Sequence, residues 1–195
     1  MHAGGRPALC GFGTVRRVRV IAGTHRGRRL QAPDTFDTRP VMDFVKESLF
    51  SSIAAEVPGA AVLDLYAGAG SFGIEALSRG AESAVFVESG RKALDALRAN
   101  LDTLGLDAVV VAGPAERYVA SPSATFDLVF CDPPWLLDGP AVAEVLTALV
   151  PSLDDDTTVV VTRKTGDPVP EVLGLRIDDV RAHGDTTIIR YVMDR

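Results

Sequence analysis

The 195-residue sequence predicts an α/β fold: a seven-stranded, mostly parallel sheet, an antiparallel hairpin at its C-terminal edge, and a small β-hairpin and helix ahead of it. Three observations carry this prediction. From residue 61 onward, unbroken apolar runs of strand length alternate with helix-length segments, as expected of strands buried on both faces. The first run leads into a glycine-rich turn that opens a helix. The last two runs have no helix-length segment between them, so they should pair directly.

The elements follow in order. Residues 1–17 hold four glycines and no periodicity, and read as a disordered tail. VRVIAGTHRGRRLQAP, from Val18, contains two short strand-like pieces around Gly23 to Gly27, a hairpin whose connection carries His25 and Arg26. In VMDFVKESLFSSIAAEV, Val41, Phe44, Val45, Leu49 and Ile53 recur near helical spacing, so an amphipathic helix should run until Pro58-Gly59. Residues 18–57 then form an N-terminal extension, and 58–195 the main domain. Within that domain the sequence predicts strands at 61–67, 83–88, 108–112, 126–131 and 157–163, with two final strands near Leu173 to Arg181 and Asp185 to Met193. Between them lie helices from Phe72 to Arg79, at 91–104 (ended by Gly105), near Ala115 to Val119, and at 141–150.

Composition narrows the class. At 47% hydrophobic and 24% charged the chain is neither disordered nor fibrous. No stretch approaches the roughly 18 to 20 apolar residues of a membrane span, and the N-terminus has no apolar h-region, so the expected compartment is the cytoplasm and no membrane partner is expected. The only cysteines, Cys10 and Cys131, suggest neither a disulfide framework nor a metal site. The net charge is −6, but residues 1–48 carry nine basic against four acidic side chains. A basic head thus sits on an acidic body, and the head can meet phosphate.

In LDLYAGAGSFGIEAL, residues Gly68, Gly70 and Gly73 match G-x-G-x-x-G, and Glu88 stands 20 residues past Gly68 at the tip of the next strand. Glycines let the backbone turn tightly beside a ligand, and an acid at the second strand tip can accept from ribose hydroxyls. A nucleoside-containing cofactor is indicated. Asp64 discriminates among cofactors. It sits inside an apolar strand, where a buried carboxylate needs a cation or several donors. The amino group of S-adenosylmethionine is such a partner, and NAD has none. The bland alternative is a carboxylate satisfied by loop N–H groups. Ser71 reads as a donor at the helix N-terminus rather than as a nucleophile.

FDLVFCDPPW, residues 126–135, ends a buried strand in an acid, two prolines and the only tryptophan. At the carboxyl end of a parallel strand beside the glycine turn, Asp132 lies where open α/β sheets bind ligands. A nucleobase exocyclic amine is a poor nucleophile because its lone pair is conjugated with the ring, and acceptors on its hydrogens release that pair. Asp132 supplies one acceptor and the Pro133 carbonyl another. Pro133 and Pro134 fix φ and bring no competing N–H. Trp135 offers a face for a base taken out of its stack. A turn with Trp135 as packing is the structural alternative.

These residues resemble the RsmD family of 16S rRNA (guanine-N2)-methyltransferases, class I S-adenosylmethionine-dependent enzymes with a Rossmann-like sheet. The resemblance covers the chain from about Val18 and rests on RVIAGTHRGRRL, TRPVMDFVKESLF, LDLYAGAGSFGIEALSRGA, FVES and DPPW. It implies methyl transfer to N2 of one guanine in small-subunit rRNA, within an assembling subunit. By position, Asp64, Tyr66, Gly68, Gly70, Ser71, Glu88 and Ala115 would bind the donor, and Asp132, Pro133, Pro134 and Trp135 would hold the guanine. Arg19, His25, Arg26, Arg28, Arg29 and Arg39 would meet RNA, with Arg39 and Pro40 where the N-terminal helix closes over the site. Two departures stand out: Gly113-Pro114-Ala115-Glu116 lacks the Asp or Asn many relatives place near the adenine, and Trp135 replaces the commoner Phe or Tyr. Rival readings are an amino-methyltransferase for DNA or another RNA, a nicotinamide-dependent oxidoreductase, and a non-enzymatic RNA-binding module. Monomer is the default assembly.

Overall fold

The computed structural model describes residues 18–32, 43–122 and 124–194. The tail expected at 1–17, and Arg39 and Pro40, lie outside the described residues. The apolar runs form one sheet from β3 (Ala61–Leu65), β4 (Ser83–Glu88), β5 (Val109–Ala112), β6 (Phe126–Cys131), β7 (Leu153–Lys164), β8 (Leu175–His183) and β9 (Thr186–Met193). Its order is β5-β4-β3-β6-β7-β9-β8. The first five strands are parallel, and β9 runs antiparallel between β7 and β8. Strand order reverses between β3 and β6, so a crevice opens there at the carboxyl ends of the strands.

Ahead of the sheet, β1 (Val18–Arg19) and β2 (Arg29–Leu30) pair as an antiparallel ribbon, followed by α1 (Asp43–Ser52). The crossover helices are α2 (Ser71–Ser78), α3 (Arg91–Leu104), α4 (Ala115–Val119) and α5 (Gly139–Leu149). One face of the sheet, with Val62, Phe86, Phe130 and Val160, packs under α1, α2 and α3. The opposite face, with Leu63, Leu65, Val129 and Val159, packs under α4 and α5. Among the described residues no helix is long and apolar enough to cross a membrane, and no group of acidic, His and Cys side chains could hold a metal ion.

Two expectations shift. α1 stops at Ser52 rather than at Val57, and the chain continues to Gly59 in turns. The hydroxyls of Ser51 and Ser52 donate to the carbonyls of Glu47 and Leu49, and such local bonds compete with continued helix. Its buried stripe is Val45, Leu49 and Phe50, with Phe50 against Phe130 at 5.5 Å, whereas Phe44 is 48% exposed. The β7 strand begins four residues earlier than expected, because Leu153 pairs with Phe126 beyond a register shift. Its Asp154-Asp155-Asp156 run reads as a loop in sequence.

A buried ionic hub fastens the N-terminal extension. Glu75 of α2 accepts from the N–H groups of Ile21 (2.7 Å) and Ala22 (3.0 Å), from Arg79 Nε (2.8 Å) and from Lys46 Nζ (3.3 Å). Lys46 also donates to the Arg19 carbonyl at 2.6 Å. Both Lys46 and Glu75 are fully buried, and burial lowers the Lys46 pKa against the pull of Glu75. Glu75→Ala strands a buried ammonium and two hairpin N–H groups, so it should destabilise by about 3–5 kcal/mol. Urea unfolding measures this; a cost below about 1 kcal/mol would mean that the hub contributes little.

Candidate active site

The first parallel strand delivers Asp64, then breaks into the turn. Tyr66 (φ 57°), Gly68 (φ 58°) and Gly70 (φ 85°) all take left-handed backbone. Tyr66 is the only non-glycine of the described residues to do so, and its hydroxyl is anchored to Glu116 Oε1 at 2.8 Å, tying the turn to α4. Burial and the Glu116 bond both raise the Tyr66 pKa. The glycines divide by role. A Cβ on Gly73 would stand 2.3 Å from Phe86 Cε1, and one on Gly70 would stand 2.5 Å from Leu97 Cδ1, so packing requires both. Around Gly68 nothing lies within 4 Å of such a Cβ, so a ligand can approach the backbone there.

Asp64 is fully buried and only half satisfied. Its Oδ2 accepts the Gly73 N–H at 2.8 Å, while Oδ1 is buried with no partner. Burial pushes its pKa well above the usual carboxylate range, opposed by the Gly73 N–H and reinforced by the charges of Asp132 and Glu88. An orphaned buried carboxylate oxygen is what a cationic ligand group would stabilise. The Ser71 hydroxyl at the start of α2 is also buried without a partner.

Glu88 is more engaged than the sequence suggests. It accepts from Gly68 N (2.8 Å), Ser89 N (2.9 Å) and Gly90 N (2.6 Å), stapling the glycine turn to the following loop. With about four lone-pair positions on a carboxylate, these bonds leave room for one hydroxyl rather than two. Ala115, buried at the start of α4, follows Gly113, whose N–H donates to the Glu88 carbonyl at 2.9 Å. Asp64, Gly68, Glu88 and Ala115 thus line one continuous stretch of adjacent strand ends. They fit a nucleoside bearing a cationic amine.

Asp132 caps β6. Register pairs Asp64 with Phe130, so the alternation of side chains places Asp132 on the Asp64 face of the sheet, one pleat higher. It is half-buried, and its Oδ1 accepts a bond from the Thr162 hydroxyl of β7. Burial pushes its pKa up to about 6, with the Thr162 bond pulling the other way. Beyond it, Pro133 is buried, and a turn closed by Leu137 N to the Pro134 carbonyl (2.9 Å) carries Trp135 and the exposed Leu136. Lys164 Nζ stands 5.9 Å from the Trp135 ring centroid. Cys131, just below, is buried on the opposite face with its thiol pKa raised by burial, which makes it an inert core residue.

The basic candidates among the described residues do not gather at this crevice. Thr24 N donates to the Ser78 carbonyl and His25 N to the Ser78 hydroxyl, so the hairpin tip sits at the C-terminal end of α2. That is about 12 Å along the helix from the glycine turn. His25 Nε2 donates to the Leu104 carbonyl at 3.1 Å and Arg28 to the Thr103 carbonyl at 3.4 Å, both at the end of α3. Arg19 pairs with Asp43 at 2.7 Å, while Arg26 and Arg29 are exposed. A cleft lined by Arg19, Arg26, Arg79, Glu47 and Ser51 opens beside them. The other end of the ribbon does reach the site: Gln31 N donates to Asn100 Oδ1, and Asn100 Nδ2 donates to the Ala69 carbonyl of the glycine turn.

Sequence reasoning missed Thr162, Lys164, Glu116 and the Glu75–Lys46 pair. The alternation in TTVVVTRK does put Thr162 and Lys164 on one face, but only the β6–β7 register aims that face at Asp132.

Comparison with known proteins gives the family. The family model described as conserved hypothetical protein 95 matches residues 18–192. YlbH of Bacillus subtilis strain 168, provisionally named an rRNA methyltransferase, is 38% identical over 162 residues, covering 80% of this chain and 88% of its own. Ribosomal RNA small subunit methyltransferase D of Escherichia coli K12 is 40% identical over 120 residues, an alignment spanning 61% of each chain. Among solved structures, yhhF of Escherichia coli, provisionally described as a methyltransferase, superposes with a TM-score of 0.81 at 31% identity, covering 91% of this chain and 98% of that one. A family model that matches nearly the whole described length, together with relatives of this identity and coverage, means that the chain belongs to the RsmD family of class I methyltransferases.

Proposed function

We propose that this protein transfers the methyl group of S-adenosylmethionine to the exocyclic N2 amine of a guanine in 16S ribosomal RNA, acting in the cytoplasm as a monomer on the assembling small subunit. The names of its relatives support rRNA as the substrate class. One observation carries the choice of an amine: Asp132 holds a carboxylate at the crevice, one oxygen taken by Thr162 and the other available to an N–H, beside a rigid proline pair.

Bound in the crevice, the cofactor supplies an electrophilic methyl on a sulfonium, so neither metal nor covalent intermediate is required. Asp64 would meet its amine, Gly68 would let it approach, and Glu88 would accept from its ribose. Tyr66, Gly70 and Ser71 would shape the turn around it, and Ala115 would lie beside its adenine. Asp132 and the Pro133 carbonyl accept the two amine hydrogens, which localises the nitrogen lone pair for attack. With a pKa near 6, Asp132 is ionised at neutral pH and can pass the lost proton to water. Pro134 and Trp135 hold the base plane. Residues 18–57 engage RNA through Arg19, His25, Arg26, Arg28 and Arg29, as an electrostatic contact spaced from the crevice, and through Arg39.

The test is a labelled-methyl assay on small subunits from cells lacking their own enzyme, preceded by calorimetry with S-adenosylmethionine and NAD. Label at one guanine N2 is the expected outcome. Donor binding with label on DNA or another RNA would reassign the substrate, and NAD binding in place of the donor would overturn the reading.

A further inference from the structure

A row of side chains crosses the carboxyl end of the sheet from the target loop to α1. Register pairs Lys164 of β7 with Thr186 of β9, and Thr186 with His183 of β8. At one end Lys164 stands over Trp135. At the other, the His183 ring meets Phe44 edge to face, with centroids 5.5 Å apart and planes at 75°. His183 Nε2 lies 3.3 Å from the Ser48 hydroxyl, which fixes the imidazole against α1. From β6 to β8 is three strand spacings, about 14 Å.

Phe44 is the unexplained member. It sits in the first turn of α1 and keeps 48% of its surface in water, although the same helix buries Val45, Leu49 and Phe50. A half-exposed aromatic beside a ring held by a hydrogen bond, in line with a lysine and the target loop, has the composition of a single-strand track: cation for phosphate, aromatic face for an unstacked base.

We propose that Lys164, His183 and Phe44 form a second nucleotide subsite, with the Lys164 ammonium on a phosphate flanking the target guanosine and the Phe44–His183 pair stacking an unpaired base of the same RNA strand. This rests on the proposed function, because the strand enters from the target crevice. It assigns substrate recognition to the antiparallel edge of the sheet, in addition to the basic hairpin.

The experiment measures kcat and KM for small subunits with Phe44→Ala, His183→Ala and Lys164→Gln, together with affinity for the methyl donor. Phe44→Ala should raise KM about tenfold, as loss of one base–aromatic stack does, with kcat and donor affinity within about twofold. Phe44→Trp should restore KM, and Lys164→Gln should lower the salt slope of RNA binding by about one. Quenching of the sole tryptophan, Trp135, by a guanosine-containing single-stranded oligonucleotide gives the same ranking without turnover. Wild-type transfer with Phe44→Ala unchanged in KM and quenching would sink the subsite and leave the proposed function standing. Equal losses of donor affinity and KM would reduce Phe44 to a structural role. No transfer and no quenching by the wild type would overturn both.

Discussion

Asp132→Asn is expected to cut kcat by a hundredfold or more while leaving donor affinity within about twofold, because the carboxylate acts on the base amine and not on the cofactor. In the wild type the catalytic form is the carboxylate, so kcat/KM should rise with pH, pass its inflection at about 6 and level off above it. Thr162→Val removes the bond that favours the charged form, so it should move that inflection upward. Stability should move the other way. A carboxyl whose folded pKa lies above its unfolded value of 3.8 favours the folded state below about pH 4 and loses that advantage as pH rises to about 6. At roughly 1.4 kcal/mol per pKa unit, Asp132→Asn should be about 3 kcal/mol more stable than wild type at pH 7.5 and no more stable at pH 4. Single-turnover kinetics and urea unfolding at the two pH values check both halves. Coincident loss of donor binding and activity would make Asp132 a structural residue.

Asp64→Asn is the second large effect. The amide oxygen can keep the Gly73 N–H bond, so the turn should stay folded, and replacing a fully buried carboxyl whose charged form burial disfavours should leave stability equal or higher. What it loses is the negative partner for a cationic amine, and donor affinity should fall about a hundredfold by calorimetry, as for a charge-assisted bond made neutral. Unchanged affinity would mean that Asp64 serves only Gly73, and that its unpartnered Oδ1 has no ligand to meet.

These two carboxylates show where sequence reading works. Each closes or interrupts an apolar run of strand length, and each stands at a fixed offset from glycines or prolines whose backbone roles are local. α3 was legible to the residue, from Arg91 to Leu104, because its amphipathic period and the left-handed Gly105 that ends it lie within one segment. The early end of α1 was not, because the period continues through Ile53 while serine hydroxyls take the carbonyls. Asp154 to Asp156 also read wrongly, since all three are exposed and this N-terminal extension of β7, lying beyond the covered part of the sheet, needs no apolar pattern.

The basic hairpin marks the boundary more sharply. Composition alone assembles His25, Arg26, Arg28 and Arg29 into a charged tip, but nothing local says which end of α2 that tip will meet. Glu75 and Ser78 decide it, more than fifty residues away in sequence, by accepting hairpin N–H groups. Ring and guanidinium then spend donors on the end of α3, and the tip lies a helix length from the crevice.

Contiguous residues were enough to read the fold class and the strand-end positions of the glycine turn and of the Asp132-Pro133-Pro134-Trp135 segment, because backbone freedom and apolar period are local properties. Register and packing across the fold leave Asp64 an unpartnered oxygen, set Thr162 against Asp132, spend Glu88 largely on the loops, and bring Phe44 to His183 at the far edge of the sheet. Those relations depend on register and packing between segments distant in the chain, where a shift of one residue would turn each side chain to the other face.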